Sequence, residues 1–391
     1  MPLLPPSCRP ETAGFAANPR AREGTSPAAR TILDEAGFEA ARAAIRSWPG
    51  YAPTPLRRLD GLARAAGLGA ILLKDESARF GLGSFKATGG GFAVARAVES
   101  RGPGITVTCA TDGNHGRAVA WGAARAGCRC VIFVHEGVSL GRRRAIEAFG
   151  AEVRVVRGTY DDAVRLSAEV AAAEGWVLVS DTSFAGYEKI PRDVMQGYAV
   201  MAEEALDQLT DGPPTHVFLQ GGVGGLAAAV AARLDRRFAA ARPGIVVVEP
   251  DRAACLLASC RAGRPAAVEG DLDTVMAGLA CGEPSLLAWR VLDELAHAFL
   301  AIPDHAATAV MRLLAEGVGG DPPLVVGESG VAGLAGALAV AAAPPLAHTL
   351  GLGPESRVLV FGTEGATDPE VWRAIVGKSP EEVAAGRGGQ P

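Results

Sequence analysis

Short apolar runs rich in β-branched residues alternate with alanine-rich stretches along most of the 391-residue chain. Apolar runs bounded by glycine and polar residues are typical of buried strands, and the alanine-rich stretches have the spacing of helices. The predicted strands are 70–74, 106–110, 129–134, 152–156, 177–180, 216–220, 245–249 and 357–362. The predicted helices are 118–126, 142–149, 160–173 and 226–238. This alternation predicts an α/β fold with parallel-rich sheets covered by helices.

The predicted elements fall into two blocks. Residues 87–198 hold a compact series that can form a small domain with its own sheet, and the flanking residues 31–86 and 199–377 must pair to complete a large domain. We expect the active site between the two lobes, at the carboxyl ends of parallel strands. Residues 1–30 are proline-rich and are expected to be poorly structured, and residues 378–391 are expected to form a disordered tail.

Composition narrows the class of protein. Hydrophobic residues make up 49% of the chain and charged residues 21%, as in a globular protein. The net charge is -5, and positive and negative residues are interspersed along the chain. No basic surface for nucleic acid is expected. Residues 1–30 lack the apolar core of a secretory signal, and the longest apolar run, 330–343, is too short to span a bilayer. We therefore expect a cytoplasmic protein that does not bind membranes.

Cysteine usage indicates neither a disulfide scaffold nor a metal site. The seven cysteines are an odd number, and they lack the paired spacing that a zinc site needs. Free thiols are expected. The sequence leaves open whether Cys255 and Cys281 approach each other.

Lys86 is a candidate nucleophile, because small residues surround it in the segment 83–90, Gly-Ser-Phe-Lys-Ala-Thr-Gly-Gly. A lysine attacks carbonyl groups, including the aldehyde of pyridoxal phosphate, when its surroundings favour the neutral amine. Small neighbours leave space for a ring beside it. The same segment also fits an ordinary lysine near the start of a helix.

A glycine-rich loop joins the predicted strand 216–220 to an alanine-rich helix. The loop consists of Gly221, Gly222, Val223, Gly224 and Gly225. Backbone N–H groups and the positive end of the helix dipole converge on a small anion at such a place, so we expect it to bind a monophosphate. Residues 222–227 also satisfy the loose G-x-G-x-x-A dinucleotide pattern, with Glu249 as a possible ribose-binding acid.

A polar loop at 111–116 follows the predicted strand 106–110. Its backbone amides and the Thr111 hydroxyl can bind a carboxylate, and Asn114 can form a hydrogen bond to a hydroxyl or phenolate oxygen. Helix capping is an alternative role for Asp112 or Asn114 taken singly.

Two further polar residues follow predicted strands. Asp181 comes after strand 177–180 and can face the cleft, where desolvation would raise its pKa and make it a proton acceptor. Thr363 comes after strand 357–362, and its hydroxyl can meet a ring nitrogen. A solvated acid and a turn residue are the alternative interpretations of these two positions.

Together these segments resemble the diaminopropionate ammonia-lyase family of fold-type-II pyridoxal-phosphate enzymes, a group that includes serine/threonine dehydratases and the tryptophan synthase β chain. The resemblance extends over residues 48–56, 74–77, 79–82, 111–116, 186–188, 195–198, 276–279 and 363–365. Residues 84–86 and the glycine loop identify only the wider fold type. Asp112 and Asp181 indicate the narrower family. Gly83 and Ala366 depart from the asparagine and aspartate that are common in the family, so the substrate pocket is expected to differ there.

The resemblance implies a role for each candidate. Lys86 forms the Schiff base with pyridoxal 5'-phosphate, Asn114 contacts the cofactor O3′, Gly221–Gly225 hold its phosphate, Thr363 lies near the pyridine nitrogen, Asp112 and Asp181 remove the Cα proton from opposite faces, and Thr111, Gly113 and His115 hold the substrate carboxylate. The implied reaction is α,β-elimination of 2,3-diaminopropionate through an aminoacrylate to pyruvate and ammonia, by a homodimer.

Other functions fit the same residues. A serine/threonine dehydratase or a β-replacement synthase has the same fold and cofactor. A non-catalytic cofactor-binding or nucleotide-binding protein is a more distant alternative.

Overall fold

Two β-sheets organise the chain, which is described here by a computed structural model that covers residues 10–111 and 113–386, apart from the side chain of Asp161. The strands are β1 (Gly14–Ala17), β2 (Leu56–Arg58), β3 (Ala70–Asp75), β4 (Thr106–Ala110), β5 (Arg129–His135), β6 (Glu152–Val156), β7 (Val177–Leu178), β8 (His216–Gln220), β9 (Gly244–Pro250), β10 (Ala298–Ile302) and β11 (Arg357–Gly362).

The larger sheet has the strand order β1-β10-β9-β8-β11-β3-β2. Its five central strands run parallel, and the edge strands β1 and β2 are antiparallel to their neighbours. The central strands are mainly apolar and buried, as expected for a sheet with helices on both faces, and their polar residues lie mostly at the strand ends. Their carboxyl ends therefore lie at one edge of the sheet.

The smaller sheet has the order β6-β5-β4-β7 and is parallel throughout. Its strands are consecutive in the chain, whereas the larger sheet takes strands from before and after them. The predicted α/β class with parallel-rich sheets is confirmed.

Helices cover the sheets. They are α1 (Pro27–Ile32), α2 (Glu35–Arg46), α3 (Asp60–Ala66), α4 (Lys86–Arg101), α5 (Asn114–Ala126), α6 (Leu140–Glu147), α7 (Tyr160–Glu174), α8 (Lys189–Asp207), α9 (Gly225–Phe238), α10 (Cys255–Ala262), α11 (Leu286–Leu295), α12 (Asp304–Glu316), α13 (Ala332–Ala342), α14 (Pro344–Leu350), α15 (Pro369–Val376) and α16 (Pro380–Ala385).

Helices α4 and α8 pack unusually closely. A Cβ atom on Gly89 would lie 2.2 Å from Cε1 of Tyr198, and one on Gly197 would lie 2.3 Å from the carbonyl oxygen of Thr88. Larger residues at these glycines would push the helices apart. The close approach brings the Tyr198 ring within 5.6 Å of the Lys86 Nζ atom at the start of α4.

The N-terminal segment is more ordered than predicted. Within residues 10–30, β1 pairs with β10, and the Asn18 amide donates to the carbonyl oxygens of Asp293 and Ala296, both at 2.8 Å. The prediction of a poorly structured segment at 1–30 is therefore wrong for residues 14–17 and for the start of α1 at Pro27. The high proline content of residues 1–30 led to this prediction, whereas β1 forms because it pairs with β10 far along the chain. Residues 1–9 lie outside the described residues.

The predicted disordered tail also needs correction. Residues 380–385 form α16, which begins with a capping box between Ser379 and Glu382 and buries Val383. Residues 387–391 lie outside the described part of the chain.

The predicted domain bounds stay a prediction. Helix α8 crosses the expected boundary between residues 198 and 199, and it packs on α2, α4 and α9. The helix therefore joins the two predicted domains.

No single helix within residues 10–111 and 113–386 has the length and apolar composition to cross a membrane. The pair α13 and α14 passes that test only when its two helices are taken together, and they are bent by 108°.

Candidate active site

One cavity lies at the carboxyl ends of strands from both sheets. Its wall includes residues just after β4, β8 and β11, together with the first residues of α4, α5 and α9. Of the residues predicted for the site and described by the structure, all line this cavity except Gly221. They are Lys86, Thr111, Gly113, Asn114, His115, Asp181, Gly222, Val223, Gly224, Gly225 and Thr363. Asp112 lies outside the described residues.

Lys86 contacts Asp181 directly. The Lys86 Nζ atom donates to Oδ2 of Asp181 at 2.6 Å, although residue 181 lies 95 positions later in the sequence. The ammonium group also lies 5.4 Å from the centre of the Phe85 ring. The chain has four lysines. The other three, Lys74, Lys189 and Lys378, do not line the cavity.

The ion pair sets the charges of both partners. Burial alone would lower the pKa of Lys86, but the charge of Asp181 outweighs burial and raises that pKa above its ordinary value. Burial would likewise raise the pKa of Asp181, but the Lys86 ammonium lowers it well below the usual range. The expected rise in the Asp181 pKa is therefore wrong while Lys86 is charged, because desolvation was considered without its partner.

The glycine loop after β8 has the geometry of an anion site. Among the described residues, the backbone N–H groups of Gly222, Val223 and Gly224 donate no hydrogen bond, and they lie at the start of α9. Gly224 has a φ of +95°, which other residues rarely adopt. Gly221 is buried behind the loop, where a Cβ atom would lie 2.7 Å from Cγ1 of Val247.

Glu249 is not available to a ribose. It is fully buried, and its two carboxylate oxygens accept hydrogen bonds from the N–H groups of Leu256 and Leu257 at 2.8 and 2.7 Å. Burial raises the pKa of Glu249 to about 8. The carboxyl group therefore caps the start of α10. The dinucleotide interpretation of residues 222–227 then has no acid to bind the ribose.

The loop after β4 is held by its own side chain. Thr111 Oγ1 accepts from the N–H groups of Gly113 and Gly116, both at 3.0 Å. The Asn114 amide donates to the carboxylate of Glu364. These bonds hold the cavity-facing side of the loop, and the Thr111 hydroxyl hydrogen stays available to a ligand.

His115 faces Asp181. Its Nε2 atom lies 2.7 Å from the carbonyl oxygen of Val179, so Nε2 carries the hydrogen, and Nδ1 lies 3.8 Å from Oδ2 of Asp181. Burial lowers the pKa of His115, which keeps the ring neutral. Its side chain is therefore directed at the acid, and only its backbone N–H remains suitable for the predicted carboxylate contact.

Thr363 lies at the end of β11 with a partner that sequence reasoning missed. The Gln220 amide nitrogen donates to Thr363 Oγ1 at 3.3 Å and to the carbonyl oxygen of Gly330 at 2.7 Å. Because Gln220 donates to this oxygen, the Thr363 hydroxyl hydrogen can point towards an acceptor such as an unprotonated ring nitrogen. The position of Gln220 at the end of strand 216–220 was the only signal for it.

Two buried acids on the cavity wall were also missed as site residues. Glu364 accepts from the Ser329 N–H at 3.0 Å as well as from Asn114. Glu328 accepts from the guanidinium group of Arg142 at 3.2 Å. The segment Gly-Glu-Ser-Gly at 327–330, directly after an apolar run, was the available signal.

This set of residues fits pyridoxal phosphate. An amine for the aldehyde, free N–H groups for the phosphate, an amide near a phenolate oxygen and a neutral hydroxyl for the ring nitrogen all border one cavity. No group of three or more metal-ligating side chains occurs among the described residues.

Comparison with known proteins agrees with this geometry. Residues 47–364 match the family described as pyridoxal-phosphate dependent enzyme. The diaminopropionate ammonia-lyase of Escherichia coli strain K12 is 40% identical over 382 residues, which cover 92% of this chain and 95% of that protein. The crystal structure of the Escherichia coli enzyme in complex with D-serine is 38% identical and has a TM-score of 0.87, with coverage of 94% of this chain and 97% of that chain.

The threonine dehydratases are more distant. The biosynthetic L-threonine dehydratase of Salmonella typhimurium is 29% identical over 77% of this chain and 55% of its own length. The chain therefore belongs to the pyridoxal-phosphate-dependent enzymes and, among them, to the diaminopropionate ammonia-lyase family.

Proposed function

We propose that this chain converts 2,3-diaminopropionate and water to pyruvate and two molecules of ammonia. The observation that carries the proposal is the contact between Lys86 and Asp181 on the wall of a cavity that also holds a free phosphate cradle. The amine for the cofactor and an acid able to take a proton beside it are thereby in one place. The 40% identity to the Escherichia coli diaminopropionate ammonia-lyase supports this substrate.

Different residues on the cavity wall would hold different parts of the cofactor. Lys86 would bind its aldehyde, Gly222–Gly225 its phosphate, Asn114 its O3′ atom, and Thr363 its ring nitrogen. Gly221, which was also predicted to hold the phosphate, donates its N–H to the carbonyl oxygen of Val248 instead. When bound, pyridoxal phosphate withdraws electrons from the substrate Cα. A neutral hydroxyl at the ring nitrogen leaves the ring less protonated than a carboxylate would, which suits loss of a β substituent.

Asp181 would move the Cα proton. Before the cofactor binds, the carboxylate is held ionised by the Lys86 ammonium. Once Lys86 is no longer a free ammonium, burial favours the protonated acid, so Asp181 becomes a better proton acceptor at the moment it is needed. We propose that Asp112 takes the proton from the opposite face, which would allow both enantiomers to react.

The substrate carboxylate would lie against the loop after β4. The Thr111 hydroxyl and the backbone of Gly113 and His115 border the cavity at the start of α5, whose dipole favours an anion. Assembly as a homodimer and a cytoplasmic location stay predictions of the family resemblance.

The ratio of products tests the proposed substrate. Elimination from diaminopropionate releases two molecules of ammonia for each pyruvate, whereas elimination from serine releases one. We expect two molecules of ammonia for each pyruvate from both D- and L-diaminopropionate. We also expect kcat/KM for diaminopropionate to be higher than kcat/KM for either enantiomer of serine. Activity on serine or threonine without activity on diaminopropionate would show a dehydratase instead.

The phosphate cradle gives a second test. Gly224→Ala should weaken the binding of pyridoxal phosphate about tenfold, because a side chain at a φ of +95° costs roughly 1–3 kcal/mol and shifts the N–H groups of the loop. Titration of the cofactor-free protein by absorbance measures the Kd. Gly212→Ala is the matched control, since Gly212 has a φ of +89° in open space away from the cavity. Equal Kd values for both variants would show that the loop does not hold the phosphate.

A further inference from the structure

Glu328 has a buried carboxylate oxygen without a partner on the wall of the active-site cavity. The residue is 1% exposed, and it lines the same cavity as Lys86 and Asp181. Its Oε1 atom accepts from Arg142 at 3.2 Å, whereas Oε2 has no hydrogen-bond partner among the described residues. A buried polar atom left unpaired costs free energy, so in a ligand cavity this oxygen is a place where a donor on a bound ligand can be accepted.

The surroundings of Glu328 favour a cation. Glu364 is buried and its charge acts on Glu328, and Asp368 Oδ2 lies 3.3 Å from the Nε atom of Arg142. Burial, followed by the charge of Glu364, raises the pKa of Glu328 to about 8, while Arg142 lowers it and Asp368 raises it. Among the described residues, Glu328 and Asp368 contact the Arg142 guanidinium, and Glu364 adds a third negative charge beside Glu328. An added positive charge would offset the repulsion among these acids.

We propose that Glu328 binds the β-ammonium group of the substrate through Oε2 and thereby selects a diamino acid over serine, an inference that rests on the proposed function. Once the α-amine is held at the cofactor, diaminopropionate differs from serine by a cation with three N–H donors at the β carbon. The cation matches an ionised carboxylate with a free oxygen. The neutral serine hydroxyl would leave that charge unbalanced, so the site discriminates against it.

Asn114 connects this acid pair to the rest of the site. Its amide donates to Glu364, whose other oxygen accepts from Ser329, the residue after Glu328. The β-ammonium site would therefore adjoin the proposed O3′ contact. Glu364 belongs to the segment after β11, and Glu328 belongs to the segment before α13. The proposed β-ammonium site is therefore separate from the loop proposed for the substrate carboxylate.

Glu328→Gln tests the proposal on two substrates. We expect kcat/KM for diaminopropionate to fall about ten- to one-hundredfold, the size of a lost charged hydrogen bond. For β-chloroalanine, whose β substituent is neutral, we expect kcat/KM to change less than about threefold, since the amide keeps the shape of the carboxyl group. Glu328→Asp keeps the charge and should recover part of the activity on diaminopropionate.

Asp368→Asn is the matched control. Asp368 also contacts Arg142, but it does not line the cavity, and asparagine preserves its cap at the start of α15. If Glu328 acts only by holding Arg142, both variants will lose activity alike and on both substrates, and the proposal is overturned. A selective loss on diaminopropionate in Glu328→Gln alone supports it.

Two outcomes separate this inference from the proposed function. Wild-type protein that does not act on diaminopropionate overturns the proposed function and this inference with it. Wild-type protein that does act on it, beside a Glu328→Gln variant that loses activity equally on both substrates, overturns only the inference.

The wild-type enzyme gives a readout that does not depend on a variant folding. Because the pKa of Glu328 is raised to about 8, the carboxyl group ionises as the pH rises through that value. The KM for diaminopropionate should then fall between about pH 7 and 8.5 relative to the KM for β-chloroalanine. Parallel pH dependence of the two KM values contradicts the proposal.

Discussion

Replacing Lys86 with alanine is expected to lower kcat on diaminopropionate by more than about 10³-fold, a loss typical of removing a covalent catalytic group. The purified wild-type protein should be yellow and should bleach with borohydride, whereas the variant should show no bleachable chromophore. The structural reason is that no other lysine borders the cavity: Lys74 is buried against Glu204 at 3.0 Å, and Lys189 is exposed at the start of α8.

Two variants separate covalent chemistry from charge. Lys86→Arg keeps a cation beside Asp181 and still cannot bond to the aldehyde, so it should also lose the chromophore. Lys189→Ala should keep both the chromophore and the activity. A borohydride-reduced peptide that carries the cofactor on a lysine other than Lys86 would refute the assignment.

Replacing Asp181 with asparagine is expected to lower kcat/KM for one enantiomer of diaminopropionate about 10²- to 10⁴-fold and to leave the other largely intact. The reason is that a base beside the Lys86 amine approaches Cα from one face only. Initial rates of pyruvate formation from each enantiomer measure the effect, after normalisation to cofactor content by absorbance.

The other enantiomer serves as the internal control. Asp112→Asn should show the opposite preference, because Asp112 is proposed for the opposite face. Similar losses on both enantiomers, at full cofactor content, would show that Asp181 holds Lys86 in place and does not select a face. Asp181→Glu keeps the charge and should retain the enantiomer preference at a lower rate.

Local patterns predicted four of the five central strands of the larger sheet and the chemistry that is continuous in sequence, but they missed β10 (Ala298–Ile302). Strand, glycines and helix follow one another at 216–238, so the phosphate cradle was visible without the fold. The β-branched run at 357–362 likewise marks β11 and the position of Thr363. Each of these signals depends on neighbours in the chain, which a single sequence displays.

Contacts between distant residues were outside the reach of these patterns. β1 depends on pairing with β10, nearly 300 residues later, and a four-residue strand has little signal of its own. The pKa of Asp181 depends on Lys86, and the role of Glu328 depends on a free oxygen in a shared cavity. Such properties arise from packing in three dimensions, because burial and charge act through space.

The position of β11 between β8 and β3 determines the order in which the protein can be built during synthesis. The four strands of the smaller sheet emerge from the ribosome consecutively between residues 106 and 178, so they can pair early. The larger sheet keeps a gap at its centre until residues 357–362 have been made. Thr363 and Glu364 arrive with that last strand, so a nascent or truncated chain that lacks them cannot complete the cavity. The complete wall of the cavity is therefore available only in a chain that includes β11 and the residues directly after it.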